Sequence, residues 1–379
     1  MSLTFKLASR NLFHDRLRFI ATIVGIVFSI VLVTVHLGLY LGFGQMVTTM
    51  IDRASADLWI VPAGTKSFED PSPLDERMRF RALAVDGVVD ATPVVIGFAQ
   101  WRRADGETTP VFVIGSDIRR PGLHPWNLVE GDLAALAIPG AVAVDRSYFD
   151  RLGVTGPGPD PVAEIRQQKV QVAVGTAGIR SFTTTPYVFM AVDRARIYTG
   201  IPANKATYFL VQVARDADLQ AVRGRLAANL TDVEVLTTAE FRTRSRSFWL
   251  FGTGAGAALL AGAVLGLVVG TVIVAQTLYS STKEHMNEFA TLRAIGSSGN
   301  YLYRVIVWQA LLSAAIGFGL AALIGAAIVR ITADGALPIM MTPGLTAVLF
   351  ALTLAMCVIS AIAAIVKVMR IDPAVVFTR

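Results

Sequence analysis

Charged residues are scarce in this sequence. Only 16% of its 379 residues are Asp, Glu, Lys or Arg, whereas a soluble domain usually contains about 25%. Residues 247–282 and 305–329 contain no charged side chain at all. Each of these runs exceeds the roughly 20 apolar residues that span a bilayer. Together with a hydrophobic content of 54%, a mean hydropathy of +0.56 indicates a membrane protein.

Several kinds of catalytic site are also missing. The single cysteine, Cys357, lies inside an apolar run, so the chain forms no intrachain disulfide and the residue is best explained as a small apolar filler. No G-x-x-x-x-G-K-[ST] phosphate loop occurs, and residues 64–67 lack its glycines. The four histidines are widely spaced, so no metal site is predicted. We therefore expect this chain neither to hydrolyse ATP nor to hold a cofactor.

The net charge of +6 does not indicate nucleic-acid binding, because the basic residues flank the apolar runs as the positive-inside rule describes. With an even number of spans, the basic residues that flank the spans fall on one side of the membrane, and we predict that this side is cytoplasmic. These residues are Lys6, Arg10, Arg16, Arg18, Lys283, Arg293, Arg304, Lys367, Arg370 and Arg379. Both termini are predicted on that side, and the large region between the first two spans lies outside.

Four apolar runs define the predicted organisation of the chain. The predicted segments are a cytoplasmic N-terminal helix at 1–18, a span at 19–44, an external domain at 45–246, a span at 247–280, a cytoplasmic helix at 281–300, a span at 301–330, an external loop at 331–343, a span at 344–366 and a cytoplasmic tail at 367–379. A surface helix is favoured over a cleaved signal peptide at the N-terminus, because the run that follows is too long for one.

The external domain shows a mixed pattern of strands and helices. Strand-like and helix-like segments form one group before residue 119 and another after residue 206. Together the two groups resemble a split ferredoxin-like unit. The insert between them, about 119–206, is rich in glycine and proline and predicts a small β subdomain.

Two groups of residues in and before the second span stand out. Gly262, Gly266 and Gly270 recur every four residues, which gives one helix face for close packing and predicts a dimer of two copies. Before the span, on the external side, Arg242, Arg244 and Arg246 predict contact with anionic lipid headgroups or with an acidic substrate. His36, in the first span, is either functional or bonded to a neighbouring group.

A short polar stretch separates the second and third spans. Within residues 283–296, Phe289, Leu292 and Ile295 recur at three-residue spacing, and Gly296 is placed as a helix stop. A short amphipathic helix held between two spans stays at the membrane surface, so we expect it to press on a partner protein.

Several segments carry a family resemblance. Residues 288–296, Glu-Phe-Ala-Thr-Leu-Arg-Ala-Ile-Gly, resemble the E-x-G/A-x-L-R-A-L/I-G segment of the FtsX/MacB/LolC group of ABC-transporter permeases. Residues 371–376 resemble the I/L-D-P-A/V ending of the same group. Residues 16–28, followed by Ala56-Asp57-Leu58, look most like the DevC-like branch.

The resemblance implies a fold and a set of partners. The fold is an α-helical membrane protein with four transmembrane helices plus an α+β periplasmic domain, a split porter-like unit with an inserted β subdomain. The chain is then a permease subunit in the bacterial inner membrane. ATP and Mg are bound by a separate ABC ATPase dimer, and the residues implied to couple to it are Glu284, Glu288, Phe289, Leu292, Arg293 and Gly296.

Mechanotransmission is the implied mode of action. Two permease copies, a periplasmic membrane-fusion adaptor and a TolC-like outer-membrane channel are implied to extrude a lipid, glycolipid or other amphipathic substrate. Three alternatives stay open: an FtsX-like regulator of a cell-wall hydrolase, a lipoprotein-releasing permease, and a membrane-anchored sensor whose external domain only binds a ligand.

Overall fold

The computed structural model describes residues 3–14, 16–70, 72–160, 162–284, 299–332 and 338–369. The chain forms two compact units. The helical unit comprises Met1–Gly42 and Ala255–Arg379, and the sheet unit comprises Phe43–Gly254.

In the described residues the α-helices are α1 (Leu3–His14), α2 (Arg16–Met46), α3 (Thr49–Arg53), α4 (Arg77–Leu83), α5 (Phe149–Leu152), α6 (Val192–Thr199), α7 (Leu219–Asn229), α8 (Thr238–Ser247), α9 (Ala255–Glu284), α10 (Gly299–Thr332) and α11 (Pro343–Met369). The strands are β1 (Leu58–Pro62), β2 (Leu74–Asp75), β3 (Val88–Arg103), β4 (Thr108–Ser116), β5 (Leu128–Glu130), β6 (Ala141–Asp145), β7 (Ala163–Ile165), β8 (Gln168–Thr176), β9 (Tyr187–Ala191), β10 (Lys205–Ala206), β11 (Tyr208–Val213) and β12 (Val233–Thr237).

Four of the described helices, α2, α9, α10 and α11, are long and apolar enough to cross a membrane. Their buried sides form a common core that includes Ile26, Ile30, Val274, Met356 and Cys357. Their other sides carry exposed large hydrophobic residues, namely Val24, Phe28, Val264, Leu265, Val268, Leu323 and Ile359. Such surfaces suit hydrocarbon rather than water, because soluble proteins rarely expose large contiguous apolar patches.

The sheet unit is built on a ten-stranded mixed sheet. Nine strands follow the order β12-β1-β11-β3-β4-β9-β6-β8-β5, and β7 pairs with β3 and β8. The parallel pairing of Phe112–Ser116 with Tyr187–Ala191 joins β4 to β9. The strands of the insert, β5 to β9, therefore continue the same sheet as the two flanking pieces.

Both faces of this sheet are covered. In β1, Leu58 and Ile60 belong to one hydrophobic core, whereas Trp59 and Val61 belong to the other. Residues that alternate along a strand point to opposite faces, so the continuous apolar run of β1 is the pattern of a strand buried on both sides. Helices α4, α6 and α7 contribute to the first core, and α3 and α8 contribute to the second.

The second predicted span begins later than the sequence indicates. The sequence predicts a span from residue 247, but Phe248–Gly252 forms a π-helical turn that follows α8. Gly254 then adopts a φ of 77°, in the left-handed region that side chains other than glycine rarely occupy. This residue ends the turn, and the apolar helix α9 starts at Ala255. Residues 248–254 consequently belong to the sheet unit.

Candidate functional site

The predicted coupling residues fall at the edge of the described chain. Glu284 is the last residue of α9. Glu288, Phe289, Leu292, Arg293 and Gly296 lie outside the described residues, and so does the tail at 371–376. The role of this segment stays a prediction from the sequence.

Two of the three arginines in α8 form ion pairs within the sheet unit. Arg242 pairs with Asp52 of α3. Arg244 pairs with Glu234 of β12 at 2.7 Å, and its hydrogen bond lowers the pKa of that carboxyl. Exposed pairs of this kind each contribute roughly 0–1 kcal/mol. They tie α8 to α3 and β12, a role that the sequence did not predict.

Arg246 differs from its two neighbours. It is exposed, and no ion pair is recorded for it among the residues that the structure describes. Its guanidinium lies beside Gly44, where an added Cβ would stand 3.1 Å from Nε. Of the predicted headgroup or substrate contacts, Arg246 is the one whose charge is not already paired.

The glycine stripe of α9 packs against another helix of the same chain. A side chain at Gly262 would overlap His36, one at Gly266 would press on Leu32 and Val33, and one at Gly270 would overlap Ser29. All of these neighbours belong to α2. The stripe therefore serves close packing of α9 on α2, rather than the dimer contact that the sequence predicts, because the face is already filled within one copy.

Polar groups in the spans are largely satisfied by neighbouring backbone. Thr34, Thr271 and Thr353 donate to the carbonyl oxygens four residues earlier, at 2.6, 2.7 and 2.7 Å. Across helix pairs, Ser29 donates to Gly266 at 2.8 Å and Ser360 donates to Thr271 at 2.9 Å. The His36 ring nitrogen Nδ1 lies 2.9 Å from the Leu32 oxygen, which matches the bonded alternative for that residue.

The sheet unit contains a cavity that the sequence did not predict. Its volume is about 350 Å³, at the lower end of the ~300–1,000 Å³ range for small-molecule sites. We call it the aromatic cavity. Its lining residues are Lys66, Ser67, Glu69, Asp70, Phe98, Phe112, Thr183, Tyr187, Phe248 and Trp249.

One wall of the aromatic cavity is a loop held by a buried tyrosine. The Tyr208 hydroxyl lies 2.9 Å from the carbonyl oxygen of Phe68 and 2.8 Å from that of Asp70. The Phe68 ring packs at an angle on Trp59 and on Tyr208. The loop that carries Glu69 is therefore fixed from the core side of the sheet.

The opposite wall comes from the π-helical turn. Trp249 donates its indole N–H to the Glu69 carboxylate at 2.8 Å. Its ring also contacts Phe182 edge-on, with ring centroids 4.7 Å apart. The π-helical turn continues directly from α8 and ends before Gly254. Here it places an aromatic donor directly on a carboxyl group.

The charges around the aromatic cavity are of both signs. Burial raises the pKa of Glu69 from 4.5 to about 7, although the hydrogen bond from Trp249 opposes this. Burial also raises the pKa of Tyr187 above its ordinary value, so that hydroxyl stays neutral. Lys66 is exposed, and its Nζ lies 6.0 Å from the Phe248 ring centroid. A mostly apolar cavity with a few convergent polar groups and a perturbed carboxyl is the usual form of a binding site.

The aromatic cavity has no signature in the sequence because its residues come from five separate segments between Lys66 and Trp249. Glu69 itself stands in a Ser-Phe-Glu-Asp-Pro stretch, which is typical of an exposed loop. Trp249 follows a charged helix and precedes an apolar run, so its position is equally typical of an interfacial anchor.

Two family models match the chain. Residues 19–229, more than half of its length, match the MacB-like periplasmic core domain. Residues 248–373 match the FtsX-like permease C-terminal region. No curated protein sequence matches the chain.

Three solved structures are similar to part of the chain. The periplasmic region of MacB from Actinobacillus actinomycetemcomitans is 9% identical, with 51% of this chain and 94% of that one covered and a TM-score of 0.38. The extracellular domain of the noncanonic ABC-type transporter YknZ from Gram-positive bacteria is 15% identical, with 48% and 99% covered and a TM-score of 0.34. A domain of a protein described as a permease from Porphyromonas gingivalis is 11% identical, with 48% and 88% covered and a TM-score of 0.31.

Proposed function

The chain belongs to the FtsX-like permeases that carry a MacB-like periplasmic core domain, and on this premise we propose that it is the membrane subunit of a MacB/DevC-type ABC exporter. The family consists of ABC-transporter permeases, so a separate ABC ATPase is the partner. We place the chain in the bacterial inner membrane with both termini in the cytoplasm, because the basic flanks of the spans fall on that side.

The observation that carries the proposal is the order of the two matched regions. A MacB-like periplasmic core domain is joined at both ends to helices that are long and apolar enough to cross a membrane. Movement of these helices by an ATPase is thereby transmitted to the domain. In our proposal ATP binding closes the helices of two permease copies, and the domains hand on a lipid, glycolipid or other amphipathic substrate to a membrane-fusion adaptor and a TolC-like channel.

The coupling step is tested with the partner ATPase co-expressed and the complex reconstituted in nanodiscs. Phe289→Ala combined with Leu292→Ala is expected to abolish the permease-stimulated ATP hydrolysis without lowering permease abundance, since both residues lie on the apolar side of the predicted helix. Asn287→Ala, on the opposite side at about 100° per residue, is the matched control. A double variant with wild-type stimulation would remove the coupling assignment.

The nature of the cargo is tested separately by purification from native membrane with mass spectrometry of co-purifying proteins and lipids. An adaptor together with the ATPase supports export. A cell-wall hydrolase instead supports the FtsX-like regulator, and lipid-modified proteins support the lipoprotein-releasing permease.

A further inference from the structure

The aromatic cavity has the composition of a site for an amphiphile. Five aromatic rings line it, from Phe98, Phe112, Tyr187, Phe248 and Trp249. Phe98 is 57% exposed although it is a large apolar side chain. Rings of this kind offer a large contact area and lose little conformational freedom on binding. They select an apolar body, but they do not select its head group.

The head group is selected by the charged residues. Glu69 and Asp70 lie in the wall, and Lys66 is at the exposed side of the cavity. Above about pH 7, where Glu69 is ionised, the two carboxyl groups disfavour an anion. The Lys66 ammonium disfavours a cation, since like charges brought together cost binding energy. An uncharged head group meets neither penalty.

Glu69 also has capacity for a further hydrogen bond. A carboxylate offers about four acceptor positions. The Trp249 indole occupies one at 2.8 Å, and the Glu69 backbone and the Ser67 side chain also stabilise the charged form, which leaves one position open. An incoming hydroxyl can therefore be bound without breaking the contacts that hold the carboxyl in place.

We propose that the aromatic cavity binds an uncharged amphiphile, with its apolar part among the rings and a head-group hydroxyl donating to the Glu69 carboxyl. This inference rests on the proposed function in that such a molecule is one of the amphipathic substrates. It adds the place where the substrate is held and the chemistry of its head group.

The test uses the full-length permease in nanodiscs without the ATPase. Three photoreactive probes share one diazirine-bearing dodecyl tail and differ only in the head group, which is a hydroxyl, a trimethylammonium or a sulfate. We expect the alkanol to label peptides of the aromatic cavity saturably, and unlabelled dodecanol to compete. The two charged probes should label these peptides about tenfold less. Equal labelling by all three probes would overturn the proposed head-group chemistry.

One variant and its matched control locate the site. Thr183→Trp places a large side chain at the exposed lining position Thr183 and should lower alkanol labelling about tenfold. Thr108→Trp, at an exposed position of β4 outside the cavity, is the matched control. Labelling that is unchanged in Thr183→Trp would overturn the proposal.

A second variant keeps the test decisive if Thr183→Trp does not fold. Glu69→Gln keeps an acceptor oxygen but removes the negative charge, so alkanol labelling should stay within about twofold of wild type. At about pH 8.5, where the wild-type Glu69 is ionised, sulfate-probe labelling should rise severalfold in this variant, because one of the two carboxylate charges that line the cavity is removed. Unchanged sulfate labelling would contradict the role of Glu69.

This experiment fails independently of the coupling experiment. A labelled cavity in a permease that does not stimulate its ATPase would leave this inference standing and remove the proposed exporter. Normal coupling with an unlabelled cavity would do the reverse.

Discussion

At the scale of single residues, Glu69 makes the stability of the sheet unit depend on pH. Its pKa is about 7 in the folded protein and 4.5 by its ordinary value. Between these two values the folded chain keeps a proton that the unfolded chain has lost, so the contribution of this group to the free energy of unfolding is complete below the lower value and falls as pH rises through the upper one. The Glu69 side chain is only partly buried, because it borders the cavity. Solvent therefore reduces the energetic effect of its raised pKa.

Glu69→Gln is expected to remove this dependence. Between about pH 5 and about pH 7.5, the wild type should lose on the order of 1–2 kcal/mol more stability than the variant. Thermal unfolding followed by intrinsic fluorescence at the two pH values measures this double difference. Glu130→Gln, on the exposed edge strand β5, is the control and should behave as wild type. A Glu69→Gln variant that tracks the wild type at both pH values would show that this carboxyl is not proton-linked to folding.

At the scale of elements, the contact between α2 and α9 depends on Gly270. A Cβ at this position would overlap Ser29 and approach the Met356 sulfur to 2.9 Å. Ser29 in turn donates to the Gly266 carbonyl at 2.8 Å. Overpacking of a filled contact typically costs about 1–3 kcal/mol, so Gly270→Leu should lower the melting temperature of the permease in nanodiscs.

The same substitution at Gly319 of α10 is the matched control. Nothing lies within 4 Å of the Cβ that it would add, and the gain in helix propensity over glycine, about 1 kcal/mol, is shared by both variants. The oligomeric state is measured in parallel. If Gly270→Leu leaves the melting temperature unchanged but yields monomers, the glycine stripe is a dimer contact after all.

Helices and strands with a regular pattern of apolar residues were predictable from the sequence, but the elements that pack against them were not. Strands β3 and β4 lie in the group of strand-like segments that the sequence predicts before residue 119, and β11 lies in the group after residue 206. The four-residue spacing predicts that Gly262, Gly266 and Gly270 share one face of a helix. It does not predict whether α2 or a second copy of the chain packs against that face. The late start of α9 depends on the φ of Gly254, a backbone choice that hydropathy does not encode.

The candidate site was the least predictable part for a related reason. Glu69 and Trp249 are 180 residues apart and meet through one hydrogen bond. No regular spacing in the sequence links Glu69, Trp249 and Phe98. A cavity assembled from distant loops becomes visible only when the sheet brings their segments together.

At the scale of the whole molecule, the spans and the sheet unit differ in how their polar groups are used. In the spans, Ser29, Thr34, Thr271, Thr353 and Ser360 all donate to backbone carbonyls. The hydroxyls of Ser29 and Ser360 join helix pairs, and those of Thr34, Thr271 and Thr353 are bonded within their own helices. None of the five therefore leaves an unpaired hydroxyl in hydrocarbon, which would be costly. Of the buried side-chain nitrogen and oxygen atoms in the described spans, the Ser313 hydroxyl oxygen is the one without a hydrogen-bond partner.

These contacts favour transmission of movement over passage through the spans. We expect that a photo-crosslinking amino acid placed at Phe98, in the aromatic cavity, captures amphipathic molecules in an ATP-dependent manner. The same amino acid at Thr271 or Ser360, within the spans, should capture bilayer lipid to an equal extent with and without ATP. The measurement is mass spectrometry of adducts from membranes that contain the permease and an active partner ATPase, with an ATPase unable to hydrolyse ATP as the control. ATP-dependent adducts at Thr271 or Ser360, with none at Phe98, would contradict the transmission of movement to the periplasmic domain and would favour a channel through the spans.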